Sequence, residues 1–349
     1  MMIPKTTKAA ILLEQCKPLI VDEINLPSSL EVGQVLVKIH YSGICGSQLG
    51  EIDGAKGPDR FLPHLLGHEA SASVLAIGPG VRYVKPGNKA VLHWRKGLGI
   101  ESETPKYSWR GRQVNAGWIT TFQEYAIISE NRVTVIPDDS ELDIAALFGC
   151  AVTTGFGVVQ NNAKLKVGES VVVFGAGGIG LSIIQAAAQA GAYPIVAIDQ
   201  YKSKLGLALH LGATHCIDSS QANTSEHIAG IIGNAELDVF IDNTGQPSII
   251  EMGYRLVSDQ GRVILVGVPK KGSTININSL ELHFGKILTG SHGGEAEPQS
   301  DIPRLMSFYS QGHLNLRDLI TDVYGLDKVN HAMESMRNGS VKGRCILKL

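Results

Sequence analysis

The chain has 349 residues, with 31 Lys and Arg against 33 Asp and Glu, five cysteines and 44% hydrophobic residues. That length suits two domains of about 150 residues each, and the balanced charge points away from nucleic acid and anionic membrane surfaces. No apolar run approaches the roughly 18 residues of a membrane-spanning helix.

The first apolar segment, Ala9 to Leu13, is too short for the core of a signal peptide. Irregular cysteine spacing argues against a disulfide framework, so a cytoplasmic chain with reduced thiols is expected. From Thr7 to about Pro137 the pattern is one of short β runs. "QVLVKIHYSGI", "HEASASVLAIG", "NKAVLHW" and "FQEYAIISENRVTVI" carry alternation or β-branched residues, and "GPG" and "KPGN" are turn chemistry. Ser140 reads as the N-cap of a helix through "ELDIAALFGCAVTTGFGVVQ".

Beyond that helix the rhythm changes. "SVVVFGAG", "PIVAID", "THCID", "LDVFIDNTG", "GRVILVGV" and "KILTGS" read as buried strands separated mostly by helical stretches. Such alternation predicts an α/β fold, a doubly wound parallel sheet covered on both faces, and six strands complete a dinucleotide fold. After Gly290 the rhythm stops, and "GRCILKL" reads as a terminal strand returning to the first domain. The expected division is a discontinuous β-rich domain of residues 1–150 and 291–349, with a Rossmann domain of residues 151–290.

"VVVFGAGGIGLSIIQAAAQAGAYPIVAID" sets Gly175, Gly177 and Gly180 in G-x-G-x-x-G spacing, with Gly178 inside the loop. The motif follows a strand, opens a helix and meets Asp199 at the end of the next strand, 19 residues after Gly180. Gly175 suits the tight turn, Gly177 the approach of the pyrophosphate, and Gly180 close packing of helix on strand. Asp199 would bind the adenosine ribose hydroxyls and repel a 2′-phosphate, so NAD is expected over NADP; Lys202 and Lys204 soften that repulsion.

Taken singly, Cys45 in "GICGSQLGE" is a buried apolar thiol and His68 in "LLGHEAS" an ordinary satisfied histidine. The set of "GICGSQLGE", "GHEAS", "FGCAVTTGFG" and "GAGGIG", in this order, resembles the zinc-dependent alcohol dehydrogenases of the medium-chain dehydrogenase/reductase superfamily. The resemblance runs from about Lys8 to the C-terminus. It implies a GroES-like β domain beside the Rossmann domain, with Cys45, His68 and Cys150 as ligands of a catalytic zinc whose fourth position is open. It also implies a proton-relay hydroxyl at Ser47 and a glutamate supporting the metal at Glu69. Thr154, Ile179 and Val268 would surround the nicotinamide, Lys204 would lie near the adenosine ribose, and Arg344 would pair with the pyrophosphate. The implied reaction is hydride transfer between NAD and a small-molecule alcohol or carbonyl, the alcohol including polyols, cyclitols and sugar derivatives. A homodimer or homotetramer, with no nucleic-acid or membrane partner, is the expected assembly. A zinc-free enoyl or quinone reductase of the same fold and a catalytically inactive dinucleotide-binding protein are the competing readings.

The chain departs from the family in two places. Residues 93–120 contain no cysteine where many relatives hold a second zinc, so no structural zinc is expected and that lobe must be remodelled. All three tryptophans, Trp94, Trp109 and Trp118, fall there, with five Lys or Arg against two Asp or Glu. Trp94 is the candidate for the substrate pocket, and the basic excess would suit a phosphorylated or acidic substrate. In the opening motif, Gln48 stands where many relatives have an aspartate, and Gly50 where many have a proton-relay histidine.

Overall fold

The computed structural model describes residues 3–221 and 223–349. The chain divides into two compact units, one running to Cys150 and resuming at Glu297–Leu349, the other Ala151–Ala296.

In the first unit, strand Gln34–Ile44 is the hub. It pairs antiparallel with Glu69–Ile77, with Tyr125–Ser129 and with the terminal strand Arg344–Lys348. Successive side chains of a strand face opposite ways, and this strand uses both faces. Val35, Val37 and Ile39 enter one core with Ala70, Ala72 and Val74, while Leu36 enters another with Ile11 and Ile127. "GRCILKL" does form the terminal strand, with Cys345 opposite Ile44 and Ile346 opposite Gly43.

The cysteine-free lobe is rebuilt as a β-hairpin. Strands Tyr107–Trp109 and Arg112–Val114 are joined through Arg110 and Gly111, both at positive φ, and Tyr107–Trp109 pairs with strand Ile20–Asn25. Trp109 is buried, and its Nε1 donates to Asp22 Oδ2 at 2.8 Å. Arg110 binds the same carboxylate, and Lys96 and Arg132 both reach Glu101. Part of the basic excess is thus neutralised locally.

The first helix after this β region is Leu142–Ala146, capped at Glu141 rather than Ser140. The Ser140 amide is instead taken by Pro137 O in the preceding turn.

The second unit carries a six-stranded parallel sheet. Its order is His215–Asp218, Ile195–Asp199, Val171–Phe174, Leu237–Asp242, Val257–Leu265 and Ile287–Gly290. This is the doubly wound order 3-2-1-4-5-6, whose switch point lies beside the first strand. The central strand Val171–Phe174 is buried throughout, as apolar runs between two helical layers require. This unit extends to Ala296, past the expected boundary at 290, because the segment around Gly294 packs on its helices. Asn161 Nδ2 donates to Gly294 O at 2.8 Å, and a Cβ on Gly157 would meet that oxygen. Among the described residues no single helix is long and apolar enough to cross a membrane.

Trp109→Ala should lower the unfolding free energy by about 3–5 kcal/mol through the cavity it leaves. Trp118, 43% exposed with the Arg132 guanidinium over its ring, should cost under about 1 kcal/mol on the same change. Denaturant titrations of the two variants beside the parent check the contrast.

Candidate metal centre and dinucleotide loop

Three separate segments bring Cys45, His68 and Cys150 together. Cys45 ends the hub strand and precedes helix Gly46–Ile52, His68 precedes strand Glu69–Ile77, and Cys150 follows the turn Leu147–Gly149. One ligand atom from each lies within 4.8 Å of the others. Both cysteines are buried and neither forms a disulfide. A hydrogen bond from Cys150 holds the Cys45 thiol well below the usual cysteine range, aided by Arg344 and His68 and opposed by burial.

Gln48 lies at the junction. Its Oε1 accepts from the Cys45 amide at 2.7 Å, and its Nε2 meets His68 Nδ1. With Nδ1 engaged, His68 Nε2 is buried with no protein partner. Two thiols and an unpartnered imidazole nitrogen are the soft donor set that suits zinc, so these residues fit the metal. A metal-binding imidazole carries its proton on Nδ1, and Gln48 accepts that proton only by turning Oε1 to the ring, which gives up its bond from the Cys45 amide.

Glu69 is wholly buried and ion-paired with Arg344, itself only 3% exposed. The structure therefore gives Arg344 a carboxylate partner that the sequence did not indicate. Space for that carboxylate is made by glycine: a Cβ on Gly43 would fall 2.0 Å from Glu69 Oε1. Ser47 Oγ is buried without a protein partner. The Trp94 ring meets His68 edge-on at 6.4 Å between centroids.

In the second unit, Gly175 takes φ +98°, and a Cβ on Gly180 would sit 1.9 Å from Gly175 O, so loop and helix approach as the motif demands. Gly177 faces open space, and Gly178 begins helix Gly178–Gln189, so amides at that helix start face the opening. This cradle fits a pyrophosphate. Asp199 is buried at the end of its strand. Its Oδ2 accepts from Ala176 N and its Oδ1 from Tyr201 N, each at 2.9 Å, which ties the carboxylate to the loop. Lys204 Nζ is 3.9 Å from Asp199. Thr154 is buried, Ile179 half-buried and Val268 57% exposed.

Sequence reasoning missed a second cluster in the first unit, Glu51, Asp59 and His64, whose ligand-type atoms also lie within 4.8 Å of one another. Nothing in the spacing of Asp59 and His64 marks them in the sequence.

Arg344→Met should cost about 3–5 kcal/mol, since it strands the Glu69 carboxylate in the interior. Adding Glu69→Gln should recover a large part of that loss. Unfolding free energies of both single variants and the double variant, compared with the parent as a cycle, provide the measurement.

The comparisons with known proteins agree with this geometry. Residues 31–138 match the alcohol dehydrogenase GroES-like domain and residues 178–311 match the zinc-binding dehydrogenase family. The chain is 33% identical over 369 residues to alcohol dehydrogenase 6 of Peromyscus maniculatus, covering 97% of each. It is 30% identical over 375 residues to the S-(hydroxymethyl)glutathione dehydrogenase of Paracoccus denitrificans, covering 95% of this chain and 97% of that one. Among solved structures, the benzyl alcohol dehydrogenase of Acinetobacter calcoaceticus aligns with a TM-score of 0.88 at 27% identity, over 99% of this chain and 100% of that one. With its glycine loop, its cysteine and histidine cluster and relatives matched along nearly its whole length, the chain belongs to the zinc-type alcohol dehydrogenases of the medium-chain dehydrogenase/reductase superfamily.

Proposed function

We propose that this chain is a zinc- and NAD-dependent oxidoreductase that moves hydride between a small-molecule alcohol and NAD, with Cys45, His68 and Cys150 holding one zinc. The observation that carries the reading is the buried, unpartnered His68 Nε2 grouped with two thiols within 4.8 Å. When bound, zinc supplies Lewis acidity toward the substrate oxygen.

The chain's own residues do the rest. Ser47 Oγ accepts the proton that leaves the alcohol hydroxyl. Gln48 orients His68, and being neutral it leaves that imidazole less basic than an aspartate would. The Glu69–Arg344 pair keeps a compensated charge beside the thiols. The loop at Gly175, Gly177, Gly178 and Gly180 receives the pyrophosphate, and Asp199 with Lys204 the adenosine ribose. Thr154, Ile179 and Val268 line the nicotinamide. Trp94, lying against His68, offers an apolar wall to the substrate, and an aromatic or short aliphatic alcohol suits such a wall. A cytoplasmic location, where the free thiols stay reduced, belongs to the same reading.

Assembly is read from the sheet edge. Strand Ile287–Gly290 closes the six-stranded sheet on one side, and Ile287 is 48% and nearby Phe284 65% exposed. An apolar, unpaired edge invites a second strand, and a second copy of the chain in a homodimer supplies one. Ile287→Lys should convert that dimer to monomer in light scattering after gel filtration; an unchanged mass would remove this edge as the contact.

The functional test is NADH formation across benzyl alcohol, primary alcohols, S-(hydroxymethyl)glutathione, polyols and cyclitols, using zinc-loaded protein. NAD should exceed NADP in kcat/KM by at least about tenfold, because a 2′-phosphate near Asp199 meets a repulsion of about 4 kcal/mol per charge pair at close range. Equal use of both cofactors would refute the role of Asp199. Elemental analysis should find about one zinc per chain, lost in Cys150→Ala; two tightly bound zinc ions would refute the single-site reading.

A further inference from the structure

Gly50 leaves the proton relay without an imidazole, yet the same helix carries a group able to replace it. Ser47 and Glu51 are four residues apart in helix Gly46–Ile52 and so lie on one face. Cβ atoms at that spacing are about 6 Å apart, within the reach of a glutamate side chain, although the two are not hydrogen-bonded: Ser47 Oγ has no partner. No side chain intervenes at Gly50, where an added Cβ would touch only Ala55.

The far side of Glu51 is built as well. His64 Nε2 is 3.8 Å from Glu51 Oε1 and 2.8 Å from Asp59 Oδ2. His64 Nδ1 meets Leu65 O at 2.8 Å. Both ring nitrogens of His64 are thus taken up by oxygen atoms, which fixes the imidazole in place beside Glu51. Asp59 is pinned in turn, with Oδ1 accepting from Phe61 N at 2.8 Å. Asp59 is thus committed to His64 and the Phe61 amide, and the Glu51 carboxylate is the group with spare capacity, its side chain 43% exposed.

We infer that Glu51 is the proton exit: it takes the proton that Ser47 Oγ relays from the alcohol and releases it to water, with the His64–Asp59 pair as its fixed electrostatic partner. In this step the alcohol O–H bond breaks and Ser47 Oγ gains that proton. Ser47 gives up its own proton to the Glu51 carboxylate, and the hydride passes to NAD. Each turnover converts alcohol and NAD⁺ into carbonyl compound, NADH and one proton delivered to solvent. The inference rests on the dehydrogenase reading above.

Partial burial raises the Glu51 carboxyl above the ordinary glutamate range, which favours proton acceptance while its exposed part still meets water. His64 on strand His64–Leu65, Lys56 in the loop after the helix and His68 before strand Glu69–Ile77 pull it down, and Asp59 pushes it up.

The test compares the parent with Glu51→Gln and Glu51→Ala. Zinc content and NAD affinity should be unchanged, while kcat for alcohol oxidation near neutral pH falls about 100-fold and KM stays within a few-fold of the parent's. The deficit should narrow as pH rises and hydroxide substitutes, and added formate should restore part of the rate to Glu51→Ala. A second readout needs neither zinc nor turnover. The ¹³C carboxyl resonance of Glu51 in metal-free protein should titrate above a free glutamate, and higher still in His64→Asn, which removes the side chain that pulls it down. A Glu51→Gln enzyme with the parent's rate and pH profile overturns the proposal, as does a Glu51 carboxyl that titrates like a free glutamate. A parent that makes no NADH from any alcohol overturns instead the functional reading on which the relay rests.

Discussion

The Glu69–Arg344 ion pair is the constraint on which the first unit turns. Neither side chain has appreciable contact with water, and desolvation makes an unpaired charge in such a place costly by several kcal/mol. The pair therefore has to form, and forming it sets the rest. Arg344 opens the terminal strand, which must lie against Ile44 and Gly43 for its guanidinium to reach Glu69. Glu69 follows His68, so the same contact fixes where that imidazole stands. Arg344 also helps to hold the Cys45 thiol toward its anionic form, which is the state a metal requires. One guanidinium thus serves a buried carboxylate and the Cys45 thiol together.

Glycine carries the steric side of that arrangement. Gly43 yields the volume that the Glu69 carboxylate occupies, and Gly149 comes so near Leu92 O that a Cβ would stand 2.3 Å from it. Gly149 also delivers the chain to Cys150. The chain's high glycine content is in part the cost of bringing polar groups and thiols this close to backbone.

The departures from the family pattern follow a common logic of replacement. The cysteine-free lobe is held instead by a hairpin whose Trp109 is buried and hydrogen-bonded to Asp22. Apolar burial plus one charge-assisted hydrogen bond stabilises this small substructure. The same logic applies at Gln48, where a neutral amide holds both the Cys45 amide and the His68 ring.

Much of this was legible in the sequence because it depends on local or strictly spaced signals. The apolar strands alternating with helices, the glycine loop ending in Asp199, and the order of the cysteine and histidine motifs are periodic or positional features, and backbone geometry converts them directly into structure. The hairpin of residues 107–114 was foreseen only as a remodelled lobe, and the helix cap fell at Glu141 instead of Ser140 because a turn claimed the neighbouring amide. Three things were decided by tertiary structure alone: the partner of Arg344, the burial of Glu69, and the meeting of Glu51 with His64 and Asp59. Each joins residues that are far apart or irregularly spaced along the chain. Such pairings are set by desolvation and sheet register, which a one-dimensional pattern does not record.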